Sequence, residues 1–182
     1  TRDSDKEILE IFIDSPYQAS KLIMLRHAKA LARSEWQNGD EDRPLDNLGQ
    51  LQARRMHAIY QVFGISQIHT SDAVRCYDTI IGLTNTLKIE PVITSKLSEY
   101  TFEKSKDKSL DYAVELAEIT RATGQTVLLC SHNPVLPRML ERITKKSSIE
   151  LPENKLKPGD AWVVFLGKKK CLQIDVIQAP NV

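Results

Sequence analysis

Short apolar runs that end in polar residues alternate along this chain with segments of helical periodicity. The clearest run predicts a strand over residues 21–26, and His27 follows it directly. A second run predicts a strand over 126–130, which leads through Ser131 to His132. Runs of this length between polar residues are typical of strands that are buried on both faces.

The segments between these runs have the apolar spacing of amphipathic helices. We predict helices at 47–63, from an N-cap at Ser71 or Asp72 to 87, at 110–123, and from Pro134 behind an N-cap at Asn133. We predict further strands at 66–70 and 91–94, a terminal hairpin of 161–166 and 171–177, and loops at 28–46, 97–109 and 146–160. The expected core-facing residues of the first helix are Leu48, Leu51, Met56, Ile59, Val62 and Phe63.

Strands that alternate with helices indicate an α/β fold with a mostly parallel sheet, to which the hairpin adds an antiparallel edge. The length of 182 residues fits one domain. We expect this domain to span 21–182, behind an N-terminal appendage or interdomain connector at 1–20. The apolar residues of the appendage at helical spacing are Ile8, Leu9 and Phe12.

Composition limits the kinds of binding partner and the cellular compartments that we expect for this protein. The net charge of +1 gives no indication of nucleic-acid or membrane binding, and no apolar run approaches membrane-spanning length. The three cysteines show no paired spacing, which favours a reducing compartment. Residues 1–8 are too polar for a signal peptide, so we expect a cytoplasmic protein. Because the chain begins with threonine, we expect a processed or excised fragment.

Two arginines accompany the two strand-end histidines. Arg26 precedes His27, and Arg75 falls in the first turn of the helix that follows the strand at 66–70. In α/β sheets, ligands bind beyond the carboxyl ends of the strands, and helix N-termini favour anions. We therefore expect Arg26, His27, Arg75 and His132 to converge on one crevice.

These residue types suit phosphoryl transfer. Guanidinium groups bind phosphate oxygens through paired hydrogen bonds, and a neutral histidine can attack phosphorus. Neighbouring arginines should hold the pKa of His27 below its ordinary value of about 6.5. Two alternatives are weaker. Two histidines without a third ligand are too few for zinc, and Cys130 and Arg138 lie too far apart for the phosphate loop of a cysteine phosphatase.

Three sequence blocks resemble the histidine phosphatase superfamily, whose members have the phosphoglycerate mutase-like fold. Residues 25–28 (Leu-Arg-His-Ala) are similar to its signature. Residues 69–79 are similar to its second block, in which a serine and an arginine lead a helix, and residues 129–136 to its third. The resemblance covers about residues 21–145. It implies a three-layer sandwich with a mostly parallel central sheet and helices on both faces.

The resemblance also implies roles for individual residues. His27 would be the phosphorylated nucleophile, and Arg26, Arg75 and His132 would form the phosphate pocket. Glu99 occupies the place where many members carry the general acid, which must be protonated when the leaving oxygen departs. A solvated loop carboxylate is an equally good interpretation of Glu99. The implied mechanism uses no metal and no cofactor.

The chain departs from the family pattern after the histidine. The usual glycine is Ala28 here, and the small polar residues that often follow are replaced. Arg33 or Ser34 in this altered loop is a candidate for a further phosphate contact, against the simpler interpretation of a solvated loop. Residues 146–182 are expected to be scaffold, although Lys155 and Lys157 have the length to reach the crevice.

The motifs are most similar to the short bacterial branch of the superfamily. That branch includes phosphohistidine phosphatases and the C-terminal domains of actinobacterial proteins whose N-terminal half is a Nudix hydrolase. Residues 5–21 resemble the connector of those two-domain proteins, and no Nudix box occurs in this chain. The resemblance therefore implies a possible Nudix partner domain outside this sequence.

Two functions follow from these features. The first is a metal-independent phosphatase with a phosphohistidine intermediate on His27, acting on a phosphohistidine protein or a nucleotide. The short segment between Glu99 and the next predicted helix leaves no room for a large lid, so we expect an open site. The second is a catalytically weak domain that binds a phosphorylated ligand or docks on a Nudix-type partner. Retention of both arginines and both histidines favours the enzyme.

Overall fold

The computed structural model of the protein describes residues 19–152 and 155–181. The appendage predicted at 1–20, with its helical turn, therefore lies almost entirely outside the described residues. The boundary between appendage and domain stays a prediction.

A six-stranded sheet runs through the described residues, in the order β3-β2-β4-β1-β5-β6. Its strands are β1 (Ser20–Arg26), β2 (Ile65–Thr70), β3 (Val92–Ile93), β4 (Thr126–Ser131), β5 (Ala161–Leu166) and β6 (Cys171–Ile177). The pairs from β3 to β1 are parallel, whereas β5 and β6 pair antiparallel. The predicted α/β class, the mostly parallel sheet and its antiparallel edge are confirmed.

Five α-helices lie in the part of the chain that the structure describes. They are α1 (Asn47–Tyr60), α2 (Val74–Leu87), α3 (Glu99–Lys104), α4 (Lys106–Thr123) and α5 (Leu136–Thr144). Helices α1 and α2 pack in the core on one face of the sheet, and α4 and α5 pack in the core on the other. The expected three layers are therefore present. None of these helices is long and apolar enough to cross a membrane.

Strand β1 shows why the sheet is covered on both faces. Leu22 and Met24 pack in the core with α4 and α5, whereas Ile23 and Leu25 pack in the core with α1 and α2. All four side chains are at most 1% exposed. Successive strand residues point to opposite faces, so an uninterrupted apolar run requires burial on both.

The buried face of α1 differs from the predicted one. Ala53, Met56 and Tyr60 are buried, whereas Leu51 and Val62, both expected in the core, are 38% and 76% exposed. The helix approaches a neighbouring loop closely, so part of its contact face consists of small residues. A prediction based on the large apolar residues alone therefore assigned the wrong face of α1 to the core.

The segment predicted as a loop at 97–109 is mostly helical, because α3 and the first turn of α4 occupy it. Ser98 begins α3: its hydroxyl oxygen accepts a hydrogen bond from the backbone N–H of Thr101 at 3.0 Å. The polar composition of this segment concealed the helix, because only Phe102 of α3 is buried.

Two helix starts were predicted too early. Helix α2 begins after Ala73, which makes no side-chain cap, and Ser71 and Asp72 precede it in the turn that follows β2. Helix α5 begins at Leu136, and the predicted cap Asn133 lies in the preceding turn. In both places, the residues just after the strand end lie in a turn beside the candidate site, and the helix begins after that turn.

The loop between β1 and α1 folds back on itself beside the end of β1. Ala30 pairs with Leu45 as an isolated bridge, and the Leu31 N–H donates to the Pro44 carbonyl at 3.0 Å. Inside the loop, Arg43 Nη1 donates to the Leu31 carbonyl at 2.6 Å. The two ends of the loop are therefore joined to each other, and the residues between them form a closed loop.

Gly49 allows α1 to approach this loop. The Asp46 side chain caps α1 by accepting from the Gly49 N–H at 2.7 Å, and the Asp46 N–H donates to the Lys29 carbonyl at 3.1 Å. A Cβ atom at Gly49 would lie 1.9 Å from the Lys29 carbonyl oxygen. Only glycine fits this backbone approach.

We expect Gly49→Ala to lower the free energy of unfolding by about 2 kcal/mol, because backbone must move to admit the new methyl group. Gly39→Ala is the control, since a Cβ there meets only the end of the Glu41 side chain. Urea unfolding followed by circular dichroism measures both. Equal stability of Gly49→Ala and the unaltered protein would contradict the close approach.

Candidate active site

His27 lies directly beyond β1, and its backbone N–H donates to the Ser131 carbonyl at the end of β4, at 3.1 Å. Its side-chain Nδ1 lies 2.7 Å from the Ala28 carbonyl oxygen. A carbonyl oxygen only accepts, so Nδ1 carries the proton in this bond and Nε2 keeps its lone pair in the neutral ring.

The environment of His27 keeps the ring neutral. Burial lowers the pKa of His27 well below its usual value, and the nearby His132, Arg75 and Arg26 act in the same direction. The hydrogen bond to Ala28 opposes them without reversing the shift. The lowered pKa expected from neighbouring arginines is found, although burial contributes more than charge.

His132 follows β4, and its ring centroid lies 5.3 Å from that of His27. Arg75 Nη2 approaches His132 Nδ1 at 3.3 Å, and the Ser71 hydroxyl lies 3.1 Å from Nε2. Because a guanidinium only donates, Nδ1 accepts and the N–H at Nε2 donates to Ser71. The Cys76 thiol lies 3.5 Å from the same Nε2.

The two arginines are also at the site. Arg75 is the second residue of α2 and is 2% exposed. Arg26 is the last residue of β1, and its Nη1 donates to the Leu156 carbonyl at 2.7 Å. The Nε of each is buried and has no hydrogen-bond partner within the described residues. Buried donors without an acceptor are costly, and an oxyanion would satisfy them.

Glu99, the first residue of α3, lies in the same place. Its Oε2 is 3.6 Å from Arg75 Nη2, 3.8 Å from Arg33 Nη2 and 3.9 Å from His132 Nδ1. The side chain is 23% exposed. Glu99 is therefore positioned beside the basic residues rather than solvated on a distant loop.

Asp40, in the loop between β1 and α1, was not identified in the sequence. Its Oδ1 accepts from Arg43 Nε at 2.8 Å and from Arg33 Nε at 3.1 Å, and its Oδ2 accepts from Arg75 Nη2 at 3.0 Å. Burial alone would raise the pKa of Asp40, but the hydrogen bonds from Arg43 and Arg33 outweigh it and lower the pKa to about 2. Within the acidic run 40–42, no sequence feature distinguishes this residue from its neighbours.

A crevice of about 810 Å³ opens at this position. Its lining includes Arg33, Arg75, Glu99 and His132, together with the aromatic side chains of Trp36 and Tyr100 and several polar residues. Arg26 and His27 are not part of this lining, although the His27 ring lies beside the ring of His132, which is.

Three of the sequence-based candidates lie elsewhere. Ser34 is exposed and is not part of the crevice lining, unlike its neighbour Arg33. Lys157 lines a separate pocket of about 380 Å³, and Lys155 lines neither pocket. Neither of these two lysines, which have the length to reach the crevice, is part of its lining.

The described residues bring together neither the ligands of a zinc site nor the phosphate loop of a cysteine phosphatase. No cluster of three or more histidine, cysteine or acidic side chains suited to a metal ion occurs among them. Cys130 is fully buried in the sheet, and Arg138 is exposed and bonded to Glu141 at 2.9 Å. The residues of a cysteine phosphatase loop are therefore not together.

Comparisons with known proteins show the family to which this chain belongs. A model of the histidine phosphatase superfamily (branch 1) matches residues 22–118, more than half of the chain. The 8-oxo-(d)GTP phosphatase of Mycolicibacterium smegmatis is 25% identical over 181 residues, which cover 97% of this chain and 54% of that protein. The chain thus spans about half the length of this relative.

Solved structures share the fold. The protein histidine phosphatase SixA, in complex with tungstate, has a TM-score of 0.66 at 16% identity, covering 87% of this chain and 96% of that one. A mycobacterial glucosyl-3-phosphoglycerate phosphatase, in complex with VO3, has a TM-score of 0.62 at 17% identity, covering 89% and 100%. The chain therefore belongs to the histidine phosphatase superfamily, branch 1.

Proposed function

We propose that this domain hydrolyses phosphorylated substrates without a metal, through a phosphohistidine intermediate on His27. The observation that carries the proposal is the pairing of His27 Nδ1 with the Ala28 carbonyl at 2.7 Å, in a ring whose pKa is lowered well below its usual value. Together they leave an unprotonated Nε2 available at neutral pH, which is the form that attacks phosphorus.

In the first step, Nε2 of His27 forms a bond to phosphorus while the bond from phosphorus to the leaving atom breaks. The side chains of Arg26, Arg75 and His132 stabilise the charge on the transferring phosphoryl oxygens. Glu99, when protonated, gives its proton to the leaving oxygen. Asp40 lacks this ability, because its pKa of about 2 keeps it ionised at neutral pH.

In the second step, water attacks the phosphorus of phosphohistidine, and the bond to Nε2 breaks. The Glu99 carboxylate takes the proton of the attacking water, which restores both the neutral His27 and the protonated acid. Phosphate then leaves. Each proton released is therefore taken up within the cycle, with no cofactor.

We favour a nucleotide as the substrate over a phosphohistidine protein. The relative from Mycolicibacterium smegmatis, whose match covers 97% of this chain, is an 8-oxo-(d)GTP phosphatase. The crevice of about 810 Å³ has the size of a small-molecule site, and the aromatic residues Trp36 and Tyr100 in its lining can contact a base. A cytoplasmic location and a Nudix partner domain stay part of the proposal.

The substrate class and the nucleophile are tested together. We expect purified protein in the presence of EDTA to release phosphate from nucleoside phosphates, and His27→Ala to release none above background. His57→Ala, which alters a histidine on α1 away from the crevice, is the matched control. Phosphate release from a phosphohistidine protein alone would assign the other substrate class. Loss of activity on chelation, or activity in His27→Ala, would contradict the proposal.

The pH dependence of kcat/KM reports the protonation of His27. Because its folded pKa is lowered, the ring stays neutral as the pH falls through 6.5, and activity declines only when the pH passes the lowered pKa. Two aryl phosphates with different phosphate pKa values separate enzyme from substrate ionisation. An acid limb at or above pH 6.5 that is the same for both substrates would contradict a neutral nucleophile.

The role of Glu99 is tested with leaving groups of different basicity. We expect Glu99→Gln to reduce kcat for phenyl phosphate by about 100-fold, because phenolate is a poor leaving group without a proton. The loss for p-nitrophenyl phosphate should be much smaller. Glu103→Gln, which alters another carboxylate of the crevice lining, serves as the control. Equal losses for the two substrates would show that Glu99 is not the acid.

A further inference from the structure

Three arginines of the site converge on one carboxylate. Arg43 and Arg33 donate to Asp40 Oδ1 at 2.8 and 3.1 Å, and Arg75 donates to Oδ2 at 3.0 Å. Arg75 Nη1 also donates to the Asp40 backbone carbonyl at 2.5 Å. These three guanidinium groups share the one carboxylate of Asp40, and Glu99 and Glu103 are further carboxylates close to Arg33.

Asp40 occupies Arg75 at the nitrogens that a substrate would use. Both terminal nitrogens of Arg75 donate to Asp40, and Nη2 also donates to His132. The Asp40 carboxylate holds Nη2, so a phosphoryl group that binds at this nitrogen competes with the carboxylate, whereas Nη1 is held by the Asp40 backbone carbonyl. The competitor is always charged at neutral pH, because the pKa of Asp40 is about 2.

The carboxylate can leave without disturbing the core. The Asp40 side chain is 40% exposed and belongs to a short 3₁₀ turn at the rim of the crevice. Arg43, by contrast, is held by its bond to the Leu31 carbonyl and is only 11% exposed. Rotation of Asp40 into water would leave Arg33 and Arg43 next to Arg75 without their shared anion.

We infer that Arg33 and Arg43 form a second anion subsite, in which one phosphate of a nucleoside diphosphate replaces the carboxylate of Asp40. This inference rests on the proposed function, and it identifies the substrate class of the same site. The terminal phosphoryl group binds at Arg75 and is transferred to His27 Nε2. The inner phosphate binds at Arg33 and Arg43, and it departs with the nucleoside when the bridging P–O bond breaks.

Charge and spacing favour a diphosphate over a monophosphate. The three guanidinium groups contact the two oxygens of one carboxylate, so the two anion positions are adjacent, as the two phosphates of a diphosphate are. A monophosphate would satisfy Arg75 and leave Arg33 and Arg43 with Asp40 only.

The first test compares dGDP with p-nitrophenyl phosphate, which has no second phosphate. We expect Arg33→Gln to lower the ratio of their kcat/KM values about tenfold. Arg33 is exposed, so the substitution leaves folding intact, and Arg138→Gln, which alters an exposed arginine on α5, is the control. An unchanged ratio in Arg33→Gln would overturn the inference.

The second test measures binding of inorganic pyrophosphate by isothermal titration calorimetry. We expect Asp40→Asn to tighten pyrophosphate binding about fivefold, because the competing charge is removed, and Arg33→Gln to weaken it. Asp42→Asn, in the same turn, is the matched control. Weaker or unchanged binding in Asp40→Asn would show that Asp40 merely orients Arg75, and would overturn the inference.

The two tests separate this inference from the proposed function. If the protein releases phosphate from no substrate but binds pyrophosphate as described, the catalytic proposal fails and the subsite stands. If it hydrolyses nucleotides through His27 while neither the substrate ratio nor pyrophosphate binding responds to these variants, the phosphatase stands and the subsite fails.

Discussion

The parallel pairing of β1 with β4 is the constraint on which the site depends. The ladder pairs Arg26 with Ser131, and it continues past the strand ends through the bond from the His27 N–H to the Ser131 carbonyl. This register places the ring centroids of His27 and His132 5.3 Å apart, although about a hundred residues separate the two histidines along the chain. The apolar faces of the two strands, buried on both sides, hold the ladder in this register.

Around this pair, burial and basic side chains set the electrostatic environment of His27. Burial and the neighbouring basic side chains act together to lower the pKa of His27, which favours the neutral ring. The arginines are kept in place by different partners: Arg26 by a backbone carbonyl, and Arg75 by Asp40 and His132. The Nε atoms of both arginines are buried and have no partner among the described residues, whereas Nη2 of Arg75 is occupied by Asp40.

The helices were less predictable than the strands, for reasons seen in particular residues. Helix α3 has one buried residue, so its apolar pattern is too weak to recognise. Helix α1 contacts its neighbours partly through Gly49 and Ala53. A pattern of large apolar residues does not identify such small residues as part of the core. Ser71 looked like a helix cap, yet its hydroxyl contacts His132, because the turn after β2 lies at the site.

The sequence by itself determined the strand order along the chain, the α/β class and the four basic residues of the site. The strands follow from short apolar runs. Arg26 and His27 stand at the end of one run, Ser131 separates His132 from another, and Arg75 lies in the first turn of α2. Only the tertiary structure decided that Asp40 joins Arg33, Arg43 and Arg75, and that Ser34 does not line the crevice. The closure of the loop between β1 and α1 sets which of its residues reach the crevice. This closure depends on contacts between residues that are distant in sequence, such as Ala30 with Leu45. Local sequence patterns do not show such contacts.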